Sequence, residues 1–230
     1  MLKFPNLDIE KELCKYTKDT LSNNSGIKIM LKFPNLDIEK ELCKFNNNPR
    51  IKIIGIDEVG RGSLAGPIVA CSLVANFDSI IPGVRDSKKL APNNRFVLYE
   101  KIIQNHEYSF GIASSQEIDE VNILNANILA RKRASNIEFD FALVDGIMKF
   151  DDKRYISVKS GDALSYTIAA ASIVAKVYRD SMMKELSLQY PQYGFEKNKG
   201  YGTTEHISAI KRYGFIKKLH RESFIKSIIN

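Results

Sequence analysis

Residues 51–70 read IKIIGIDEVGRGSLAGPIVA. The stretch opens on an apolar, β-branched run, Ile51 to Ile56, whose shortness and bounding glycines predict a strand. Asp57 and Glu58 follow. Neighbouring side chains of a strand point to opposite faces, so both carboxylates meet one site only near a strand end or a bulge. Gly60-Arg61-Gly62 and then Gly66-Pro67 let the backbone approach a ligand closely and turn. A second apolar run, Ile68 to Ala75, predicts the returning strand of a hairpin. The plain reading of the pair is a surface hairpin with charges at its tip. Against it, carboxylates set on a hydrophobic strand are costly unless paired or bound to metal. An arginine between glycines also suits phosphate or ribose contact.

The 230 residues suffice for one well-buried α/β domain and an appendage. A net charge of +7 points to a polyanionic partner. The apolar runs are too short to span a bilayer, and no secretory signal is visible, so no membrane association is expected. Cys14, Cys43 and Cys71 form neither a disulfide framework nor a CxxC site, which suits a reducing, cytoplasmic setting. His106, His206 and His220 are too scattered to suggest zinc.

The N-terminus carries an identical repeat: MLKFPNLDIEKELCK occupies residues 1–15 and again 30–44. Two copies make no solenoid. Each copy offers a short amphipathic helix after its proline, with Asp8, Ile9 and Leu13 in one and Asp37, Ile38 and Leu42 in the other. Only one can occupy a given place on the core, and the second, if either, is expected to pack; residues 1–29 are expected to be dispensable. The expected organisation is a leader over 1–48, a catalytic domain over 49–193 and a basic helical segment over 194–230.

Further along, Asp86-Ser87-Lys88-Lys89-Leu90 is either a solvated loop or a phosphate clamp. Apolar positions Phe96, Val97, Ile102 and Ile103 predict an amphipathic helix over 93–105. Tyr108 to Ala113 predicts a strand, and 121–137 a helix ending in the basic cluster Arg131-Lys132-Arg133. Phe139 to Val144 predicts a buried strand ending in Asp145-Gly146, a position where doubly wound sheets build sites. Tyr155 to Val158 predicts the next strand. Asp162 precedes a long helix over 164–188, where an aspartate also serves as an N-cap. Asp180 lies inside that helix, and its neighbour Arg179 suggests a surface ion pair. From Gly194 on there are eight Lys/Arg against three Asp/Glu, interleaved with aromatics, a pattern that suits a surface tracking a nucleic-acid backbone. Thr203 or Thr204 is expected to cap a helix ending before Gly214.

GIDEVGRGSLAGP over 55–67 resembles the signature of the type 2 ribonucleases H, the bacterial ribonuclease HII family. DSKKL (86–90), GDALSYTIAAASIVAKVYRD (161–180), KGYGT (199–203) and HRESF (220–224) resemble further elements of it. The resemblance implies an α/β ribonuclease H-like fold, a mixed central sheet flanked by helices. It implies four carboxylates around two divalent ions, Mg²⁺ or Mn²⁺, which fall on Asp57, Glu58, Asp145 and Asp162. Phosphodiester hydrolysis needs an activated water and a stabilised leaving oxygen, and a pair of Mg²⁺ about 4 Å apart supplies both. Hard cations want oxygen ligands. Without metal the carboxylates repel one another, so a loose or partly protonated site is expected.

The resemblance also assigns Gly60, Arg61 and Gly62 to reading the 2′-hydroxyl, the group that tells RNA from DNA. It assigns Tyr201 to stacking on the sugar beyond an RNA–DNA junction. Ser87, Lys88, Lys89 and Lys199 complete the implied substrate contacts. The implied partners are RNA–DNA hybrids and duplex DNA carrying embedded ribonucleotides, cut to 5′-phosphate and 3′-hydroxyl ends by a monomer. Type 3 enzymes resemble GTG where this chain has GRG. Two other classes fit the fold: a resolvase- or transposase-type nuclease, and a catalytically silent nucleic-acid-binding module. A substrate panel separates the first, and cleavage without added factors eliminates the second.

Overall fold

The computed structural model describes residues 34–229. The second leader copy forms helix α1 (Asp37–Phe45). Then come strands β1 (Ile53–Val59) and β2 (Ile68–Val74), helix α2 (Pro92–Asn105), strand β3 (Tyr108–Ala113) and helix α3 (Ser115–Ala134). Strands β4 (Phe141–Asp145) and β5 (Tyr155–Val158) lead into the one-turn helix α4 (Gly161–Leu164) and the long helix α5 (Tyr166–Gln189). The chain closes with α6 (Phe195–Asn198), α7 (Thr204–Tyr213) and α8 (Glu222–Ile229). The five strands form one mixed sheet in the order β3-β2-β1-β4-β5. β1, β4 and β5 run parallel, with Ile56 opposite Val144 and Asp145 opposite Val158.

Two compact units interleave along the chain. The first takes the chain up to Asp57, Ser72–Tyr108 and Ile137–Ile173; the second takes Glu58–Cys71, Ser109–Asn136 and everything from Val174. In the first, alternation along the parallel strands sorts side chains to two faces. Ile53, Phe141, Leu143, Ile156 and Val158 pack with Ile38 and Leu42 of α1 and Ile168 of α5. Ile54, Ile56, Ala142 and Val144 form the other layer. The helix lies close on the strand because position 55 has no side chain: a Cβ on Gly55 would sit 2.4 Å from the Thr167 carbonyl carbon. In the second unit Ile68, Ala70 and Ala113 pack against Ile118, Ala126, Ala130 and Ala134 of α3. Met183, Tyr193, Phe195, Ala209, Ile210 and Ile225 form a separate core.

Several expectations need correction. β1 begins at Ile53 and runs on through both carboxylates to Val59. Phe96 and Val97 are about half exposed (50% and 49%); Leu98 and Ile102 are the buried positions of α2. α3 starts six residues before the expected Val121, because Ser114 and Glu117 form a capping box there. It is broken at Asn122, whose φ of 66° is non-helical and whose Oδ1 accepts from the Leu124 and Asn125 amides. Asp162 is no cap of the long helix, which begins only at Tyr166 after an extended Ser165. The first leader copy lies outside the described residues.

Candidate active site

In the first unit, Ile56 of β1 pairs with Val144 of β4, so the next residues on the two strands, Asp57 and Asp145, stand side by side on the sheet. Neighbouring strands lie about 4.8 Å apart, which brings the two carboxylates close together. Asp57 is buried (5% exposed). Asp145 Oδ1 accepts from the Gly161 amide at 2.7 Å and the Asp162 amide at 3.4 Å. That pair of bonds draws the β5–α4 turn onto the end of β4 and brings Asp162 beside Asp145. The turn depends on Ser160 in the left-handed region (φ 55°) and on Gly161, where a Cβ would meet Ile168 at 2.6 Å.

Charge follows this placement. Burial first, and then the charges of Asp145 and Asp86, raise the Asp162 carboxyl above its ordinary range, with Lys88 and Lys89 opposing. Burial works to lower the Lys88 ammonium, but the combined fields of Asp57, Asp86, Asp162 and Asp145 prevail and raise it. Lys88 and Lys89 are exposed, on a short 3₁₀ turn capped by Asp86, whose carboxylate accepts from the Lys88 amide. Ser87 faces inward, its hydroxyl 2.9 Å from that of Ser172 and its carbonyl accepting from Arg95 Nε. Among the described residues, no three Asp, Glu, His or Cys side chains form a ready-made coordination set. The donor chemistry nonetheless fits a hard divalent cation: the side chains are carboxylates, and burial followed by the neighbouring Asp145 and Asp86 charges disfavours an ionised Asp162 in the absence of a cation.

In the second unit, Glu58 lies within the strand and so faces the opposite side from Asp57. Its carboxylate pairs with Arg131, itself 2% exposed, and accepts from Asn127 Nδ2 at 3.2 Å. The "basic cluster" 131–133 therefore contains one buried residue with a structural partner.

Two buried arginines shape the loops that follow. Arg221 is fully buried and donates to the carbonyls of Gly60 (2.6 Å), Arg61 (2.8 Å) and Gly66 (2.8 and 3.1 Å). Burial, and then the nearby Arg179, pull its guanidinium down to about 9. Arg179, also fully buried, donates to Pro67 O, Ala65 O, Ser63 Oγ and Lys199 O. It sits 5.6 Å from the Tyr201 ring centroid, within cation–π range. Arg179 thus ties the 60–67 loop to the 199–201 loop, and the surface ion pair expected of it with Asp180 does not form. Asp180 pairs with Lys176 at 2.7 Å instead, one helical turn away.

Gly60 (φ 88°) is required by its surroundings, since a Cβ there would lie 2.2 Å from Arg179 Nε. A Cβ on Gly62 would meet nothing within 4 Å, so that glycine answers no need inside the chain. Arg61 and Gly62 are exposed. Tyr201 is half-buried, and Lys199 turns its ammonium to Glu196 O at 2.5 Å. Thr203 caps α7, accepting from the His206 amide. Beneath, His206 and His220 face each other with Nε2 atoms 3.1 Å apart; burial and then His206 pull His220 down to about 4. Arg131, Asn127, Arg179 and Arg221 escaped sequence reasoning. The signal for the two loop-holding arginines was their place inside apolar helix faces or motif ends, where a free cation is costly.

The family described as ribonuclease HII matches residues 54–227. Ribonuclease HII of Rickettsia bellii (strain OSU 85-389) is 50% identical over 184 residues, covering 78% of this chain and 93% of that protein. Ribonuclease HII of Rickettsia prowazekii (strain Madrid E) is 51% identical over 175 residues, covering 75% and 90%. The crystal structure of the ribonuclease H2 from Pyrococcus horikoshii OT3 superimposes with a TM-score of 0.63 at 28% identity, covering 78% of this chain and 97% of that one.

Proposed function

The chain belongs to the ribonuclease HII family, and from that premise we propose that it cuts at ribonucleotides embedded in duplex DNA as well as within RNA–DNA hybrids. It is a hydrolase of phosphodiester bonds, a ribonuclease H, and that family depends on divalent metal. The observation that carries the finer reading is the side-by-side placement of Asp57 and Asp145 on neighbouring strands, with Asp162 drawn in by the Asp145 hydrogen bonds.

In this reading Asp57, Asp145 and Asp162 hold two Mg²⁺ or Mn²⁺ ions, and Glu58, oriented by Arg131 and Asn127, is the fourth carboxylate. The ions, when bound, activate the attacking water and stabilise the leaving oxygen, which leaves 5′-phosphate and 3′-hydroxyl ends. Lys88 and Lys89 neutralise backbone phosphate beside the carboxylates; Ser87 and Lys199 support the same strand contacts. Gly60, Arg61 and Gly62 read the 2′-hydroxyl, and the open space at Gly62 leaves room for a sugar to come against the backbone. Tyr201, steadied by Arg179, stacks on the sugar beyond the junction. Functionally the leader is residues 1–48, the catalytic domain 49–193, and 194–230 a basic segment completing the substrate surface. The enzyme works as a cytoplasmic monomer; a sparse set of cysteines, Cys43 and Cys71 among them, suits a reducing compartment, and no described helix is long and apolar enough to cross a membrane.

The test uses a labelled duplex carrying one ribonucleotide. Cleavage should require Mg²⁺ or Mn²⁺ and fall by orders of magnitude in Asp57→Asn, with hybrid binding retained. Arg61→Ala and Tyr201→Ala should lose single-ribonucleotide cleavage while staying folded. Undiminished activity of those folded variants on that substrate would sink the junction-reading roles.

A further inference from the structure

The second leader copy is held in the first unit by a short, specific pattern of contacts. Its backbone zips onto the start of α5: the Asn35 amide donates to Leu164 O at 3.2 Å, and the Tyr166 amide donates to Asn35 O at 2.8 Å. Glu39, buried to 0% exposure, accepts from Ser165 Oγ at 2.6 Å, from the Thr167 amide at 3.3 Å and from the Thr167 hydroxyl. Leu36, Ile38 and Leu42 are 1–2% exposed. Ile38 and Leu42 pack on Ile51, Ile53, Phe141 and Ile168. Recognition therefore reads Asn-Leu-x-Ile-Glu-x-x-Leu.

That pattern recurs without change 29 positions earlier, at Asn6, Leu7, Ile9, Glu10 and Leu13. Tyr16 stands where the packed copy has Phe45, an aromatic for an aromatic. We propose that the groove against the start of α5 is a docking site for residues 6–16 of the same chain, which displace residues 35–45 in a minor fraction of molecules. The contacts on offer are the same for both copies, so the tether decides the balance. Seven residues (46–52) separate Phe45 from β1, whereas 36 residues (17–52) separate Tyr16 from it. Loop-closure probability falls as the three-halves power of length, which favours the second copy about tenfold. The first copy is then a spare, and damage to the second costs the fold little more than that factor.

The test is Leu42→Asp, which buries a charge only if the second copy stays docked. It is made in the full chain, in a chain lacking residues 1–29, and together with Leu13→Asp. The folding equilibrium of the full chain should drop about tenfold, equal to about 1.4 kcal/mol. The other two chains should lose more than a hundredfold or fail to fold. Thiol labelling read by mass spectrometry should show Cys14 slowing and Cys43 quickening in the full-length Leu42→Asp chain. Equal damage in full and truncated chains, or no change in labelling, would overturn the exchange. Rescue that depends on protein concentration and comes with dimers would also overturn it, placing the first copy on a second molecule.

Discussion

Arg221→Lys isolates what the guanidinium fork does for the 60–66 loop. The substitution keeps a cation in the same buried place, so the cost of burying charge is largely common to both chains. What changes is the number of hydrogen bonds. Arg221 serves three carbonyls, those of Gly60, Arg61 and Gly66. One ammonium on a flexible stem reaches one of them in good geometry. The Gly60 carbonyl keeps the Ser63 hydroxyl at 2.9 Å, so one carbonyl, that of Arg61 or Gly66, then lacks a donor, at about 1–3 kcal/mol. That is a sizeable share of a typical folding stability of about 5–15 kcal/mol. Urea unfolding should show an unchanged slope and a midpoint lower by about 0.5–1 M. At temperatures where the variant is folded, the loosened Gly60-Arg61-Gly62 backbone should raise KM on a single-ribonucleotide duplex more than it lowers kcat. A loss below about 0.5 kcal/mol would mean the carbonyls find other donors, and the argument that Arg221 holds the loop would fall.

Asp162→Asn should abolish Mg²⁺-dependent cleavage, whereas Asp180→Asn, which removes the Lys176 pair, should leave it; the reverse pattern in folded proteins would exchange their roles. Deleting residues 1–29 should move the melting temperature by less than a degree or two, while deleting 1–45 removes three buried side chains, Leu36, Ile38 and Leu42, at about 1.5–3 kcal/mol each, and should unfold the protein. Burial raises the Glu39 carboxyl above its ordinary 4.5, so the unfolded chain gives up that proton first and the fold loses stability as pH climbs past 4.5. The Tm advantage of Glu39→Gln over the parent should therefore grow from pH 4.5 upward, and a constant or shrinking difference counts against a Glu39 carboxyl raised by burial.

What the sequence displays and what it hides divide by range of interaction. β3 over 108–113 and β5 over 155–158 are legible to the residue because their signals are local: β-branched or aromatic runs between polar breaks. Asp145 and Asp162 are legible as a pair because each follows a strand, and those strands turn out to be parallel neighbours. The end of β1 is not legible, since Asp57 and Glu58 break the apolar run while the ladder carries on beneath them. Arg131, Arg179 and Arg221 look like surface charge because their partners, Glu58 and the loop carbonyls, lie 20 to 161 positions away or are backbone atoms that carry no letter. Phe96 and Val97 look buried because helical spacing alone does not say which face has a neighbour. The Ser114 capping box was open to reading and explains the early start of α3.

The sheet register has a consequence for how the protein comes into being. β1 sits at the centre, and its pairing of Ile53 with Phe141 joins positions 88 apart in the chain. Contacts of that span form slowly, since the loop must close before the pairing rewards it. During synthesis the strand bearing Asp57 is complete while its β4 neighbour has yet to be made. One long edge of β1 therefore waits unpaired, the condition under which nascent sheets stick to one another.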